Sequence, residues 1–268
     1  EYRSAPFWSW NERLDPDRLL RQITMLREMG CGGFHIHART GLDTEYMGPE
    51  FLECVRASVS EAERLGMRAW LYDEDRWPSG YAGGLITEAP ENRQRYLLFT
   101  PTPYGTTPPE LPAVSQFPLR RNERGALLAR YEIRLEDGTL AHYRRLGESE
   151  AAAPGTQIWH AYREIEWPCI GYNNRTLGDI LNPACTAAFI RVTHERYRAA
   201  VGDAFGRTIP AIFTDEPHPH DVRRLPAANA RQDVTVPYTD DFPATYRVAY
   251  GADFLESLPE LYWNLPDN

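Results

Sequence analysis

Four short apolar runs along the chain have the length and composition of buried β-strands. They are residues Ala5–Asn11, Gly33–Ala38, Met67–Tyr72 and Ile209–Thr214. Each run ends in polar or charged residues, and the last one is followed directly by two adjacent carboxylates, Asp215 and Glu216. Ligands of α/β folds bind outside the carboxyl ends of the strands, so these polar ends are the first candidates for a functional site.

Helical spacing of apolar residues separates these runs. Three helices are predicted to begin at the prolines of Asp15-Pro16, Gly48-Pro49 and Asn182-Pro183, so that proline occupies the first helical position of each. Strands that alternate with helices predict parallel strands joined by right-handed crossovers. The predicted fold class is therefore α/β, a TIM-type (β/α) barrel. It is predicted to be partial, because four such strands are half of the eight in a full barrel, and an open doubly wound sheet is the alternative.

The repeat is interrupted after the third strand. Alternation at Leu127–Leu135 and the hairpin signal Asp137-Gly138 before Thr139–Leu146 predict antiparallel strands, and Gln157–Trp167 is a further candidate. After Pro217 the sequence predicts a polar loop and then a short helix near Asp241–Tyr250. We therefore divide the chain into three parts: residues 1–94 with the first βα units, 95–175 with an antiparallel β insertion, and 176–268 with a further βα unit, the TDEP strand end and the C-terminal segment.

The amino-acid composition argues against several classes of partner and of active site. The net charge of −9 at pH 7 disfavours nucleic acid or an anionic membrane surface as a partner. All 29 basic residues are arginine, which excludes Schiff-base lysines and the phosphate-binding P-loop. No apolar run reaches about 18 residues, so no membrane span is predicted. No signal peptide is visible, which slightly favours the cytoplasm, although a cleaved signal peptide would leave the same sequence.

The predicted strand ends bring aromatic residues, histidines and carboxylates to one rim. The candidate substrate-binding residues are Trp8, Trp10, Asn11, His35, His37, Arg39, Asp73, Glu74, Asp75 and Trp77, and the candidate catalytic residues are Asp215 and Glu216. Aromatic rings stack on the C–H faces of a pyranose, and cleavage of a glycosidic bond needs two carboxyl groups. These residues also have structural interpretations. Glu216 could cap a helix or pair with an arginine, and Trp8 and Trp10 could be core residues.

Two other functions are open. His35 and His37 share one face of a strand with the H-x-H spacing of metal ligands, and His218 and His220 repeat that spacing. A metal-dependent hydrolase is therefore a rival to the glycosidase, although hydrogen bonds from these histidines to sugar hydroxyls explain the pattern equally well. The absence of a clear second carboxylate leaves a non-catalytic carbohydrate-binding fragment as the third hypothesis.

Five motifs together resemble the N-terminal portion of the catalytic domain of glycoside hydrolase family 106, which is known for α-L-rhamnosidases. They are PFWSWN at 6–11, GGFHIHARTGL at 32–42, WLYDEDRWPSGYAGG at 70–84, LNPACTAAF at 181–189 and IFTDEP at 212–217. The resemblance implies a TIM-like barrel and an inverting reaction with glutamates as acid and base. The implied reaction requires no cofactor, and the resemblance is compatible with a calcium ion at the site.

Carried over to this sequence, the resemblance implies Glu216 as the general acid. It implies sugar contacts for Asp73–Asp75, His35, His37 and Arg39. Members of the family are longer than this chain, so the partner glutamate is expected beyond Asn268.

Overall fold

The computed structural model describes residues 3–106 and 121–266, so residues 107–120 of the predicted insertion lie outside the described part. The chain forms two compact units. The first consists of Glu1–Asn92 and Pro168–His218, and the second of Arg93–Trp167 and Pro219–Asn268. The predicted third part of the chain, 176–268, contributes to both units. Among the described helices, none is long and apolar enough to cross a membrane.

Strands and helices are numbered in chain order over the described residues. The strands are β1 (Phe7–Trp10), β2 (Gly33–Ala38), β3 (Arg68–Tyr72), β4 (Arg95–Thr100), β5 (Ala126–Glu136), β6 (Thr139–Leu146), β7 (Gln157–Ile165), β8 (Ile212–Phe213) and β9 (Val234–Tyr238). The α-helices are α1 (Pro16–Glu28), α2 (Pro49–Arg64), α3 (Pro183–Val192), α4 (His194–Val201), α5 (Phe242–Tyr250) and α6 (Phe254–Ser257).

A parallel sheet with the order β1-β2-β3-β8 forms the centre of the first unit. The predicted second strand is confirmed at Gly33–Ala38, and the first and third are confirmed with shorter bounds. The fourth was predicted as a six-residue strand, but only Ile212 and Phe213 pair with β3. The residues that follow Phe213 therefore belong to a loop and not to the sheet.

The helices of this unit begin where the sequence predicts. The Asp15 side chain accepts a hydrogen bond from the Arg18 N–H at 2.8 Å, and Asn182 caps α3 through the Ala184 N–H at 2.9 Å. One prediction is wrong: apolar spacing predicts a single helix that starts at Pro183 and carries Tyr197, but the helix is interrupted at Thr193. The Thr193 hydroxyl donates to the Phe189 carbonyl at 2.7 Å, the kind of local side-chain hydrogen bond that competes with a continuous helix.

The second unit is built on an antiparallel sheet with the order β6-β5-β7-β4-β9. The predicted hairpin is confirmed: Glu136 pairs with Thr139, and Asp137 and Gly138 both have positive φ, as a type I′ turn requires. The prediction of a polar loop after Pro217 is wrong for one segment, because Val234–Tyr238 pairs with β4 as an edge strand. Pro237 is tolerated there because an edge strand has one unpaired side.

The chain is therefore a mixed α/β protein with one parallel and one antiparallel sheet. The described residues form four parallel strands and no closed barrel. The antiparallel insertion follows the third parallel strand, as the sequence predicts.

Candidate active site

The two faces of the parallel sheet separate the predicted site residues. Trp8 and Trp10 alternate with Phe7 and Ser9 along β1, so the tryptophans lie on the face that packs against the helices. His35 and His37 lie on the opposite face, with Phe7 in ring contact with both. The tryptophans and the histidines therefore do not share a rim.

Trp10 is part of the core. Its ring packs edge-on against Phe51 at 5.4 Å, and only 1% of the residue is exposed. Trp8 is half-buried, and its indole N–H donates to the Gln22 side chain at 2.8 Å. Together with Asn11, both tryptophans line a groove of about 340 Å³ beside α1. This position corrects the expected placement of these three residues next to the strand-end acids.

His35 and His37 are held by aromatic stacking. His35 stacks on Trp70 with ring centroids 5.0 Å apart, and His37 stacks on Tyr72 at 4.0 Å. Burial lowers the pKa of His35, and burial together with the nearby Arg39 charge lowers the pKa of His37 to about 4. His37 is therefore neutral at pH 7, and its buried Nδ1 has no hydrogen-bond partner among the described residues.

The second histidine pair is divided between the two units. His218 lies in the first unit, with its ring 6.3 Å from that of Trp77. His220 lies in the second, where it pairs with Glu166 and stacks on Tyr96. Among the described residues, no group of three or more His, Cys, Asp or Glu side chains is arranged to hold a metal ion.

Asp73 is fully buried at the end of β3 and binds two hydroxyl groups. Ser79 donates to Oδ1 at 2.7 Å, and Thr214 donates to Oδ2 at 2.6 Å. Burial raises the pKa of the Asp73 carboxyl, and the two hydroxyl groups act in the opposite direction. Asp73 therefore ties the loop after β3 to the loop after β8, and it has no exposed surface for a substrate.

Glu74 is also fully buried, inside the turn that follows it. Five backbone N–H groups donate to its carboxylate, four of them at 2.8 to 3.0 Å. They belong to Asp75, Gly80, Tyr81, Ala82 and Gly83. Burial raises the pKa of this carboxyl to about 8, and the N–H groups act against it. All five neighbours are donors, which suits an ionised carboxylate, so the turn stabilises the charge that burial disfavours.

Asp75 completes this buried segment. Its Oδ2 accepts hydrogen bonds from the Arg76 guanidinium and from the Asn173 amide, both at 2.9 Å. Asn173 also donates to the Gly83 carbonyl at 3.1 Å, which fixes the same turn from outside. The three acids Asp73–Asp75 therefore build the scaffold of the loop and do not form an open sugar-binding surface.

Asp215 and Glu216 lie at the end of β8, next to Trp77. The Trp77 indole N–H donates to Glu216 Oε2 at 2.9 Å, and 43% of Trp77 is exposed. Glu216 is exposed and has φ of +46°, a conformation that non-glycine residues rarely adopt. Burial, and then the Glu216 charge, raise the pKa of Asp215, whereas the Arg39 charge lowers it. Trp77, Asp215, Glu216 and Arg39 are thus the predicted residues that the structure brings together.

Ser79 is the residue that sequence reasoning missed. Its N–H donates to the Asp215 carbonyl at 2.8 Å, and its hydroxyl accepts from the Asp215 N–H at 2.9 Å. The backbone that carries the two candidate catalytic acids is therefore held by one serine of a distant loop. The motif Trp77-Pro78-Ser79-Gly80 marked this loop in the sequence, but no spacing rule points from Ser79 to Asp215.

Comparison with known proteins gives a distant structural likeness. No protein-family model matches the chain, and no curated protein matches it. A solved structure of a rhamnosidase from Novosphingobium sp. PP1Y matches with a TM-score of 0.49 and 11% sequence identity. The match covers 98% of this chain and 42% of that chain, so this chain spans less than half the length of that rhamnosidase.

Proposed function

We propose that the chain carries part of the active site of a glycoside hydrolase, with Glu216 as the general acid. The observation that carries the proposal is the hydrogen bond from the Trp77 indole to Glu216 Oε2, beside an exposed tryptophan ring. An indole ring is a stacking surface for a sugar, and its N–H holds the carboxyl group that would protonate the glycosidic oxygen. Because the Trp77 indole N–H donates to Glu216 Oε2, the proton for the glycosidic oxygen would be delivered from Oε1.

The backbone supports this role for Glu216. A non-glycine residue at φ of +46° is strained, and strained residues concentrate at sites where function requires a fixed side-chain direction. The loop after β3 fixes this geometry through Ser79 and Trp77. A general acid must be positioned before the substrate arrives, and these contacts provide that positioning.

The reaction needs a second carboxyl group. Asp73, Glu74 and Asp75 are occupied by the hydrogen bonds that build the loop. We therefore place the second carboxylate outside the described residues and give Asp215 a supporting role beside Glu216. In this proposal the enzyme is an α-L-rhamnosidase of glycoside hydrolase family 106, and the four parallel strands belong to a partial TIM-type barrel.

A carbohydrate-binding fragment without its own chemistry is the second candidate. The observation that favours it is the same engagement of Asp73–Asp75, because none of these three acids is then open to act as the second carboxylate. Such a fragment would bind the sugar through Trp77 and Arg39 and would not need the Glu216 proton.

The test is hydrolysis of a panel of aryl glycosides, with the α-L-rhamnoside first, by the protein that carries this chain, with and without Ca²⁺. Glu216→Gln keeps the hydrogen-bonding shape but cannot donate the acid proton, so turnover should be lost while the melting temperature is unchanged. Glu28→Gln, at the exposed end of α1, is the matched control and should retain turnover. Full turnover in Glu216→Gln would overturn the proposal. Sugar binding by both variants without turnover in any form would favour the second candidate.

A further inference from the structure

A cluster of arginines lies at the other end of the parallel sheet. Arg3 precedes β1, Arg27 is in the last turn of α1, and Arg68 begins β3. With Gly32, Gly66 and Trp70 they line one cavity of about 280 Å³. Arg3, Gly32 and Gly66 lie in the segments that lead into β1, β2 and β3, Arg68 is the first residue of β3, and Trp70 lies within that strand. A strand such as β2 is roughly 20 Å long, so this cavity is well separated from Glu216.

The three guanidinium groups are not neutralised within the part of the chain that the structure describes. Neither Arg3, Arg27 nor Arg68 forms an ion pair there. Arg68 donates to a backbone oxygen, that of Arg207. Glu63, a carboxylate of the neighbouring helix end, pairs with Arg207 at 3.5 Å and with none of the lining arginines. Three like charges around one cavity repel one another, in a chain whose net charge is −9.

Two glycines, Gly32 and Gly33, leave room for Arg3 and Trp70 to pack closely against the backbone beside the cavity. A Cβ atom on Gly32 would lie 2.7 Å from the Arg3 Cβ, and one on Gly33 would lie 2.6 Å from the Trp70 ring. Larger residues at either position would push Arg3 or Trp70 away from the cavity. The Trp70 ring also stacks on the His35 ring, with ring centroids 5.0 Å apart. The wall of the cavity is therefore fixed by packing before any ligand is present.

We propose that Arg3, Arg27 and Arg68 form a binding site for a small phosphate-type oxyanion. Guanidinium groups present paired N–H donors that match the oxygen atoms of phosphate, and a bound dianion would offset the repulsion among the three charges. A ligand with a planar or apolar portion would rest that part against Trp70. Neither the glycosidase proposal nor the strand-end acids make use of this site.

The same oxyanion chemistry has two sources, a phosphate group and the carboxylate of an acidic sugar. Three arginines favour the more highly charged group, so phosphate is expected to bind more tightly than a monocarboxylate. The probes are therefore inorganic phosphate and glucuronate, each titrated into the protein by isothermal calorimetry at low ionic strength. We expect one saturable phosphate site, weaker binding of glucuronate, and a loss of affinity when NaCl is added.

Arg3→Gln and Arg27→Gln are the informative variants, because neither side chain makes a hydrogen bond or ion pair within the described residues. Each should weaken phosphate binding by about tenfold or more, the size expected for the loss of a charge-assisted contact. Arg191→Gln, on the exposed side of α3, removes the same charge away from the cavity and should bind phosphate normally. Melting curves without phosphate check that all variants fold.

Three results would overturn the proposal: no saturable phosphate binding, glucuronate binding as tightly as phosphate, or an equal loss in Arg191→Gln. None of these measurements uses glycoside turnover, so the outcome is independent of the role proposed for Glu216.

Discussion

The indole N–H of Trp77 donates a hydrogen bond of 2.9 Å to Glu216 Oε2, although the two residues are 139 positions apart in sequence. Trp77 belongs to the loop after β3, and Glu216 follows β8. Ser79 and Asp73 join the same two loops, so the candidate catalytic acids are placed by a neighbouring loop.

Trp77→Phe removes the indole N–H and keeps an aromatic ring for sugar stacking. Glu216 then loses the contact that directs Oε2, so we expect kcat for the aryl glycoside to fall about tenfold, with a smaller change in KM. Steady-state kinetics of the variant give this split. An unchanged kcat would show that Glu216 is positioned without the indole.

Glu74→Gln should destabilise the protein far more than Asp73→Asn. All neighbours of the Glu74 carboxylate are N–H donors, so an amide NH₂ group in that place finds no acceptor and leaves buried N–H groups unpaired, at a cost of about 3 kcal/mol. The side-chain hydrogen bonds to the Asp73 carboxylate come from the Ser79 and Thr214 hydroxyl groups, and His194 Nε2 lies 3.9 Å from its Oδ2. A hydroxyl group can turn and accept from an amide, so the second substitution should cost about 1 kcal/mol.

Chemical denaturation of both variants measures this difference. Glu53→Gln is the control, because Glu53 forms an exposed pair with Arg56 on α2 and its loss should change the unfolding free energy by no more than about 0.5 kcal/mol. Equal destabilisation at positions 73 and 74 would contradict the distinction between hydroxyl and N–H partners.

Ser79→Ala should loosen the segment that carries both acids. The substitution leaves the Asp215 N–H without its acceptor and removes one donor from the Asp73 carboxylate, so we expect a loss of about 2 kcal/mol in unfolding free energy. It should also lower kcat, because the Glu216 backbone is no longer fixed. Ser79→Thr retains the hydroxyl group and should restore part of both quantities. A stable and fully active alanine variant would show that the hydroxyl group has no positioning role.

His37→Phe should flatten the dependence of stability on pH. The pKa of His37 is lowered to about 4 in the folded protein, from an ordinary value near 6.5. Between these two values the unfolded chain binds a proton that the folded chain does not bind. The free energy of unfolding of the parent protein therefore falls as the pH decreases from 6.5 to about 4.

Phenylalanine keeps the ring that stacks on Tyr72 and removes the titrating group, so the variant should lose this part of the decline. Denaturation curves at pH 7 and pH 5 provide the comparison. Identical pH dependence in the two proteins would show that His37 titrates normally when folded.

The parts of the fold that local sequence determines were predicted well. Capping by Asp15 and Asn182 gives the starts of α1 and α3, and Asp137-Gly138 gives the hairpin between β5 and β6. The interruption at Thr193 and the edge strand β9 were missed. The edge strand β9 depends on pairing with β4, a distant part of the chain that local propensity does not contain. At Thr193 a local hydrogen bond from the hydroxyl to the Phe189 carbonyl competes with the continuous helix that apolar spacing predicts.

The arrangement of the candidate site residues differs from the single rim that the sequence predicts. The position of Asp73–Asp75 after a predicted strand indicates an open rim, but the chain leaves the strand after Tyr72 and folds the acids into its own turn. Strand periodicity places Trp8 and Trp10 on one face of β1, yet it does not tell which face the helices cover. Tertiary packing decides that point.

The two-residue length of β8 has a consequence for how this site could change over evolution. Because only Ile212 and Phe213 belong to the sheet, the backbone that bears Asp215 and Glu216 is set by side chains such as Ser79 and Trp77. Single substitutions in the loop after β3 could shift the two acids and leave the strand register intact. The position of the two acids would then change in small steps on a fixed parallel sheet.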